Sequence, residues 1–334
     1  MANSTGHPTS ASSQRGGPQE RAPNPRMGDD LVLPFRTVKS DLIGRVVRLG
    51  PLVDEVLGRH AYPEPVSHVL GEALALTAML GSALKSEGKL ILQTRTDGAL
   101  NFLVTDYASP GHMRGYVSFK KDHPQLVAAQ GRGDQGALIG KGHVAMTIDP
   151  NGDTNTYQGI VAVDHEPLIA VAENYFRQSE QLPTFIRLAV AQHYERGRGA
   201  HWRAGGLLLQ KLPRQGGERT SKEGEEHDAI LAGEDDEDWT RARHLAATVE
   251  EHELIDPTLS PERLLYRLFH EEGVRVFEPT PLIAACRCSR ERIQLYLERF
   301  GAQELAGLRE DDGGVTVTCE FCSRQYKFAE SDLP

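Results

Sequence analysis

The four cysteines of this chain, Cys286, Cys288, Cys319 and Cys322, fall within one 37-residue window, and the preceding 285 residues contain none. Two close pairs thirty residues apart must be brought together by whatever folds between them. Four thiolates complete a tetrahedral zinc shell without an open position, so the pattern predicts one Zn2+ per chain held by all four. In extended backbone alternate side chains share a face, and the one-residue gap of Cys286-Arg287-Cys288 therefore aims both sulfurs the same way. The two-residue gap of Cys319-Glu320-Phe321-Cys322 suits a tight knuckle turn. A cluster of this kind points to a metal or redox site rather than to a disulfide framework.

Between the pairs, Ser289 is placed to cap a helix whose Ile293, Tyr296, Leu297 and Phe300 share a face and which Gly301 ends. After Gly313-Gly314, Val315 and Val317 alternate with Thr316 and Thr318, reading as one strand of a small hairpin finished by Tyr326 and Phe328. Such a unit, residues 279–334, is too small for a substantial core, so metal ligation is expected to supply much of its folding energy. Closed four-cysteine sites are ordinarily structural. Two features point further: the one-residue gap is unusual for a zinc ribbon, and the site adjoins a charged, marginal linker. Arg287, Arg290 and Arg292 are expected to help keep the thiols ionised, second to the metal itself.

Upstream, 334 residues allow one large core and smaller modules. Alternating apolar and polar residues run from Leu31 to Leu57 around Gly44 and Gly50. After Tyr62-Pro63-Glu64-Pro65, the three- and four-residue spacing of Val66, Val69, Leu70, Ala73, Leu74, Thr77, Leu80 and Leu84 predicts one buried face of a long helix. Strands are predicted at Leu90–Thr96, Asn101–Thr105, Met113–Phe119, Val144–Ile148 and Tyr157–Val163, with short connections that favour antiparallel pairing. A helix at Pro167–Arg177 and strands near Phe185–Val190 and Gly206–Leu212 complete an α+β core domain over residues 30–213. Residues 214–238 hold three basic and ten acidic side chains and few apolar ones, and are expected to be flexible. A helical linker follows over 239–278, with one helix at Trp239–Glu253 and a second at Pro261–Glu272 begun by Ser260-Pro261. Its stripe of Leu264, Leu265, Leu268 and Phe269 must dock somewhere, and permanent or reversible packing both fit.

Residues 1–29 are rich in Ser, Gly, Pro, Asn and Arg and lack the apolar core of a secretory signal, so disorder and a non-exported chain are expected. Met27-Gly-Asp-Asp is read as a candidate start, an expectation that N-terminal sequencing of the native protein would settle. No run of roughly 18 apolar residues suited to a membrane helix occurs. A formal net charge of −10 weighs against a nucleic-acid partner. Enzyme motifs fail as well. Gly131, Gly133 and Gly136 have dinucleotide spacing but run into Gly140, Gly142 and an alternating strand. Gly140-Lys141 lacks the phosphate-loop Ser or Thr, and no His-Glu pair has a second histidine at metalloprotease spacing.

The residues then resemble a known family. Tyr62-Pro63, Gly111-His112-Met113-Arg114-Gly115, Tyr157-Gln158-Gly159, the run Tyr175-Phe176-Arg177-Gln178-Ser179-Glu180-Gln181-Leu182-Pro183-Thr184, Leu268-Phe269-His270-Glu271-Glu272 and Cys286-Arg287-Cys288-Ser289-Arg290-Glu291-Arg292 are similar to the heat shock protein 33 family of bacterial chaperones, over about residues 30–330. The resemblance implies a cytoplasmic, ATP-independent, non-enzymatic holdase that is inactive with zinc bound and reduced. Peroxide or hypochlorite with unfolding stress then forms disulfides, by position Cys286 with Cys288 and Cys319 with Cys322. Zinc leaves, the linker loses its support, apolar surface binds unfolding clients, and the active form dimerises. Residues 1–29 and 214–238 exceed what is expected of the family. The competing expectation is a constitutive zinc-ribbon module that binds protein or nucleic acid.

Overall fold

The computed structural model describes residues 29–84, 87–150, 156–197, 199–211, 236–301, 304–305, 307–310 and 313–333. The expectations for residues 1–28, Met27 among them, and for 214–235 lie outside that set. The architecture is α+β, built on an antiparallel sheet and a mixed sheet with one helix between them. Strands β1 (Leu31–Thr37) and β2 (Ile43–Leu49) pair antiparallel, then α1 (Pro51–Gly58) and α2 (Glu64–Gly81) follow. The alternation read as far as Leu57 stops at Leu49, because Pro51 at the first helical position starts α1. Strands β3 (Gly88–Thr96), β4 (Leu100–Ala108) and β5 (His112–Phe119), short helices α3 (Pro124–Ala128) and α4 (Gln135–Ile139), and β6 (Lys141–Pro150) and β7 (Tyr157–Asp164) form the second sheet and its cover. Helix α5 (Leu168–Gln178) leads to the long hairpin β8 (Thr184–Glu195) and β9 (Gly199–Gln210), which extends the first sheet through β2.

Helix α2 departs from the expected amphipathic pattern: every residue from Pro65 to Gly81 is buried, because both sheets pack on it. An internal helix has no water-facing side. The polar residues that the spacing assigned to solvent, Ser67, His68 and Glu72, are therefore enclosed. Glu72 accepts a hydrogen bond from Gln135 Nε2 at 2.7 Å while its other oxygen has no partner. Burial, partly offset by the Gln135 hydrogen bond and by Arg132, pushes its carboxyl up to about 7. The folded state thus holds this proton more tightly than the unfolded chain. Its contribution is complete below about pH 4.5 and is lost as pH rises through about 7. Chemical denaturation across that window is expected to show a fall of up to roughly 3 kcal/mol that Glu72→Gln abolishes.

The acidic residues nearest the linker are ordered. Asp236 caps α6 (Glu237–Ala247) through the Trp239 amide, and Glu237 and Asp238 form its first turn. Asp29, grouped by composition with the N-terminal extension, makes an ion pair with the buried Arg203. The single helix expected at Trp239–Glu253 is two, because Val249 turns inward to the core and the Glu253 carboxylate caps the Glu250 amide to begin α7 (Glu251–Ile255). Helix α8 spans Pro261–Phe269, shorter than the expected Pro261–Glu272, with His270 as its cap and Gly273 at a φ of 69° reversing the chain. Ser260 caps its start as read from the sequence.

The stripe docks in this structure. Leu264, Leu265, Leu268 and Phe269 join Trp239, Ala246 and Leu254 in a second core on the outer face of the first sheet, against Leu33, Phe35, Val46 and Leu207. Buried cations fasten the intervening loop: Arg48 donates to the carbonyls of Asp256, Glu253 and Leu259, and Arg203 to that of Ile255. Only glycine fits at position 205, since a β-carbon there would lie 2.1 Å from the Leu254 carbonyl oxygen. Three short strands then stitch the chain to an edge of each sheet. Strands β10 (Val274–Val276) and β11 (Thr280–Pro281) pair antiparallel with β1, and β12 (Ile283–Ala284) pairs parallel with β5. The last unit holds α9 (Arg290–Leu297) and the hairpin β13 (Val315–Thr318) with β14 (Gln325–Phe328).

Candidate metal centre

The first cysteine pair follows β12 directly, with the Ala285 amide still bonded to the Met113 carbonyl at 2.9 Å. Extended backbone sends Arg287 to the opposite side from Cys286 and Cys288, as the alternation predicts. The second pair closes the turn between β13 and β14. Ser323 there takes a φ of 54°, and the Phe321 and Cys322 amides point at the Cys319 sulfur. All four sulfurs lie within 4.8 Å of one another; Cys286 to Cys319 is 3.7 Å and Cys288 to Cys322 is 3.4 Å. A tetrahedron with metal–sulfur bonds of ~2.3 Å has edges of ~3.8 Å, close to the two shortest separations, so the four thiols are placed to share one metal ion.

The thiols differ in acidity. Burial raises Cys319 and Cys322. In Cys288 burial is outweighed by hydrogen bonds from the Tyr326 hydroxyl, 3.2 Å from the sulfur, and from neighbouring thiols, which together bring it down to about 7. A bound cation would ionise all four. The arginines expected to assist do other work: Arg287 reaches Asp106, Arg290 pairs with Asp332, and Arg292 donates to the Arg287 carbonyl. Tyr326, read from sequence only as a hairpin apolar residue, is the side chain that supports a sulfur.

Ser289 caps α9 by accepting from the Arg292 amide. Ile293, Leu297 and Phe300 face inward as expected, but Tyr296 is 65% exposed. Among the described residues the unit's buried apolar side chains are Leu297, Leu305, Val315 and Phe328.

The centre is also fastened to the second sheet. The Asp106 carboxylate on β4, 2% exposed, accepts from Arg114 Nε at 2.6 Å and Arg287 Nη2 at 2.8 Å. Phe321, inside the knuckle, lies under the Arg114 guanidinium at 3.9 Å and beside Tyr116, and Ser323 Oγ donates to the Arg59 carbonyl at 3.1 Å. A double-mutant cycle of Asp106→Ala with Arg287→Ala, read by chemical denaturation, is expected to give a coupling of about 2 kcal/mol, because the pair is buried and shared.

Fold and site together define a two-sheet α+β protein with docked linker helices and a C-terminal unit whose four cysteines are placed to bind a metal ion. The chain belongs to the Hsp33 protein family, whose model matches residues 30–329. It is 47% identical over 310 residues to the 33 kDa chaperonin of Caulobacter vibrioides, covering 92% of this chain and 97% of the relative. It is 38% identical over 295 residues to the 33 kDa chaperonin of Pseudomonas paraeruginosa, covering 88% and 90%. The crystal structure of the 33 kDa chaperonin from Thermotoga maritima shares the fold, with a TM-score of 0.71 at 22% identity over 91% of this chain and 96% of that one. No helix among the described residues is long and apolar enough to cross a membrane.

Proposed function

We propose that this chain is a cytoplasmic, ATP-independent holdase chaperone, switched by oxidation of the four cysteines, and not an enzyme. Membership of a family whose relatives are named chaperonins supports the chaperone reading. The switch rests on one observation above all: the cysteine cluster begins two residues after the strand β12 that, with β10 and β11, stitches the linker to both sheets. In the resting form Cys286, Cys288, Cys319 and Cys322 hold one Zn2+, which keeps the terminal unit folded and the linker core closed. Under oxidative stress Cys286 joins Cys288 and Cys319 joins Cys322. Each pair of thiolates gives up two electrons to an oxidant such as peroxide, which takes up two protons and is reduced to two waters, and the resulting disulfides would leave zinc with no thiolate ligand. The terminal unit then unfolds, β10 to β12 lose their anchor, and the linker core opens an apolar face to unfolding client proteins. The oxidised form acts as a homodimer. Neither nucleic acid nor membrane takes part.

Light scattering of a heat-denaturing client, recorded without ATP, tests this reading. Oxidised protein is expected to suppress aggregation while the reduced, zinc-loaded form does not. Equal activity in both states would leave a constitutive binding module, and no activity in either would remove the chaperone reading.

A further inference from the structure

A second site lies far from the cysteines, in a cavity of about 210 Å³ at the C-terminal end of α2. Its walls are mostly apolar, from Leu84, Leu90, Met146, Ile148 and Phe176, with Glu180 and Gln210 on the rim, and one cation, Arg45, enters it. Arg45 occupies the middle of β2, opposite Pro34 on one side and Leu208 on the other. Neighbouring Val46 faces the linker core, so Arg45 faces inward toward α2. Its Nε is buried without a hydrogen-bond partner, and the side chain has no ion pair among the described residues. Burial lowers its pKa.

Acceptors at the end of α2 and on the cavity rim are engaged. The carbonyls of Ala78, Leu80 and Gly81 take the amides of Ser82, Ala83 and Leu84, and that of Met79 takes the Ser82 hydroxyl. Glu180, on the cavity rim, accepts from the Tyr175 and Tyr157 hydroxyls. Arg45 is half-buried, and its enclosed Nε gains from an acceptor that joins it. The rim residues Tyr175, Phe176, Glu180 and Leu182 come from the run 175–184 that the metal centre leaves unexplained. We propose that this cavity binds a small amphipathic carboxylate, its carboxylate on the Arg45 guanidinium and its aliphatic or aryl tail among Leu84, Met146, Ile148 and Phe176. The planar fork of arginine matches a carboxylate, and the walls match a tail without hydrogen-bonding groups. The site faces the inner core, so its occupancy does not depend on cysteine chemistry.

Isothermal titration of the reduced, zinc-loaded full chain with sodium octanoate at neutral pH tests the assignment, with 1-octanol as the uncharged control. One octanoate per chain is expected, bound at least about tenfold more tightly than octanol, the margin of a charge-assisted pair. Arg45→Met removes the charge at similar length, and its fold is checked by circular dichroism. It is expected to erase the preference for octanoate and leave octanol binding within about twofold. No saturable octanoate site in the unaltered chain, octanol binding equally well there, or an unchanged octanoate preference in folded Arg45→Met would each overturn the proposal. The first two readouts need no variant, so a misfolded substitution does not shield it.

Discussion

Replacing Phe269 with alanine is expected to open the linker without any oxidant. Phe269 is fully buried, stacks on Phe35 of β1 at 5.6 Å between ring centroids, and lies in the outer core with Leu264, Leu265 and Leu268. Truncating a buried phenylalanine costs about 4 kcal/mol in lost transfer energy and residual cavity. The cost falls on a layer of short helices held by that core and by the Arg48 and Arg203 contacts, whereas the inner core around α2 is untouched. Local opening is therefore the cheaper response than global unfolding. Reduced, zinc-loaded Phe269→Ala is expected to suppress client aggregation in the light-scattering assay at a level near that of the oxidised unaltered protein. The inner sheets should keep their thermal transition. If the variant stayed inactive while amide exchange showed α8 open, the outer face of the first sheet would not be the client surface.

Cys322→Ser is expected to have a larger local effect. The terminal unit buries few apolar side chains, while a structural four-cysteine zinc site contributes roughly 10 kcal/mol or more to folding. With one ligand gone, the hairpin β13–β14 and helix α9 should lose amide protection, and zinc content by atomic absorption should fall far below one per chain. Removing the metal from the unaltered chain with a strong chelator under reducing conditions should reproduce the same exchange pattern. A folded terminal unit in the metal-free chain would show that Leu297, Leu305, Val315 and Phe328 suffice by themselves.

The site was legible in the sequence because its information is local. A one-residue gap and a two-residue gap in cysteine spacing specify a strand and a knuckle with no help from the rest of the chain. Ser289 and the Val315, Val317 alternation likewise act over a few residues. The strands of the core were found for the same reason. What escaped is what depends on distant partners. The strands β10 to β12 are two or three residues long, too short to show a period, and exist because β1 and β5 offer open edges. Helix α2 carries an ordinary amphipathic spacing, and only the first sheet, with Trp202 of β9 against His68, and helix α4, with Gln135 on Glu72, turn its polar side into an interior surface. The Asp106, Arg114 and Arg287 cluster joins residues up to 181 positions apart. Sequence could place Arg287 opposite the thiols but could not name the carboxylate it meets. Phe321 carried a signal that was passed over: an aromatic side chain at the tip of a knuckle, where exposure is otherwise expected, marks a docking contact. The split at Val249 was also missed, since the helical spacing continues across it.

The account turns on coupling between the metal and the linker, and hydrogen exchange with mass spectrometry reads both at once. Reduced, zinc-loaded protein is treated with peroxide at raised temperature, zinc release is followed with a chromogenic chelator, and samples are pulsed in deuterium along the course. Exchange in residues 261–284 should rise in step with zinc release and with exchange in 286–333, while β3, β4 and β6 stay protected. Zinc lost from an unfolded terminal unit, with α8 and β10 to β12 still protected and client aggregation unsuppressed, would contradict it.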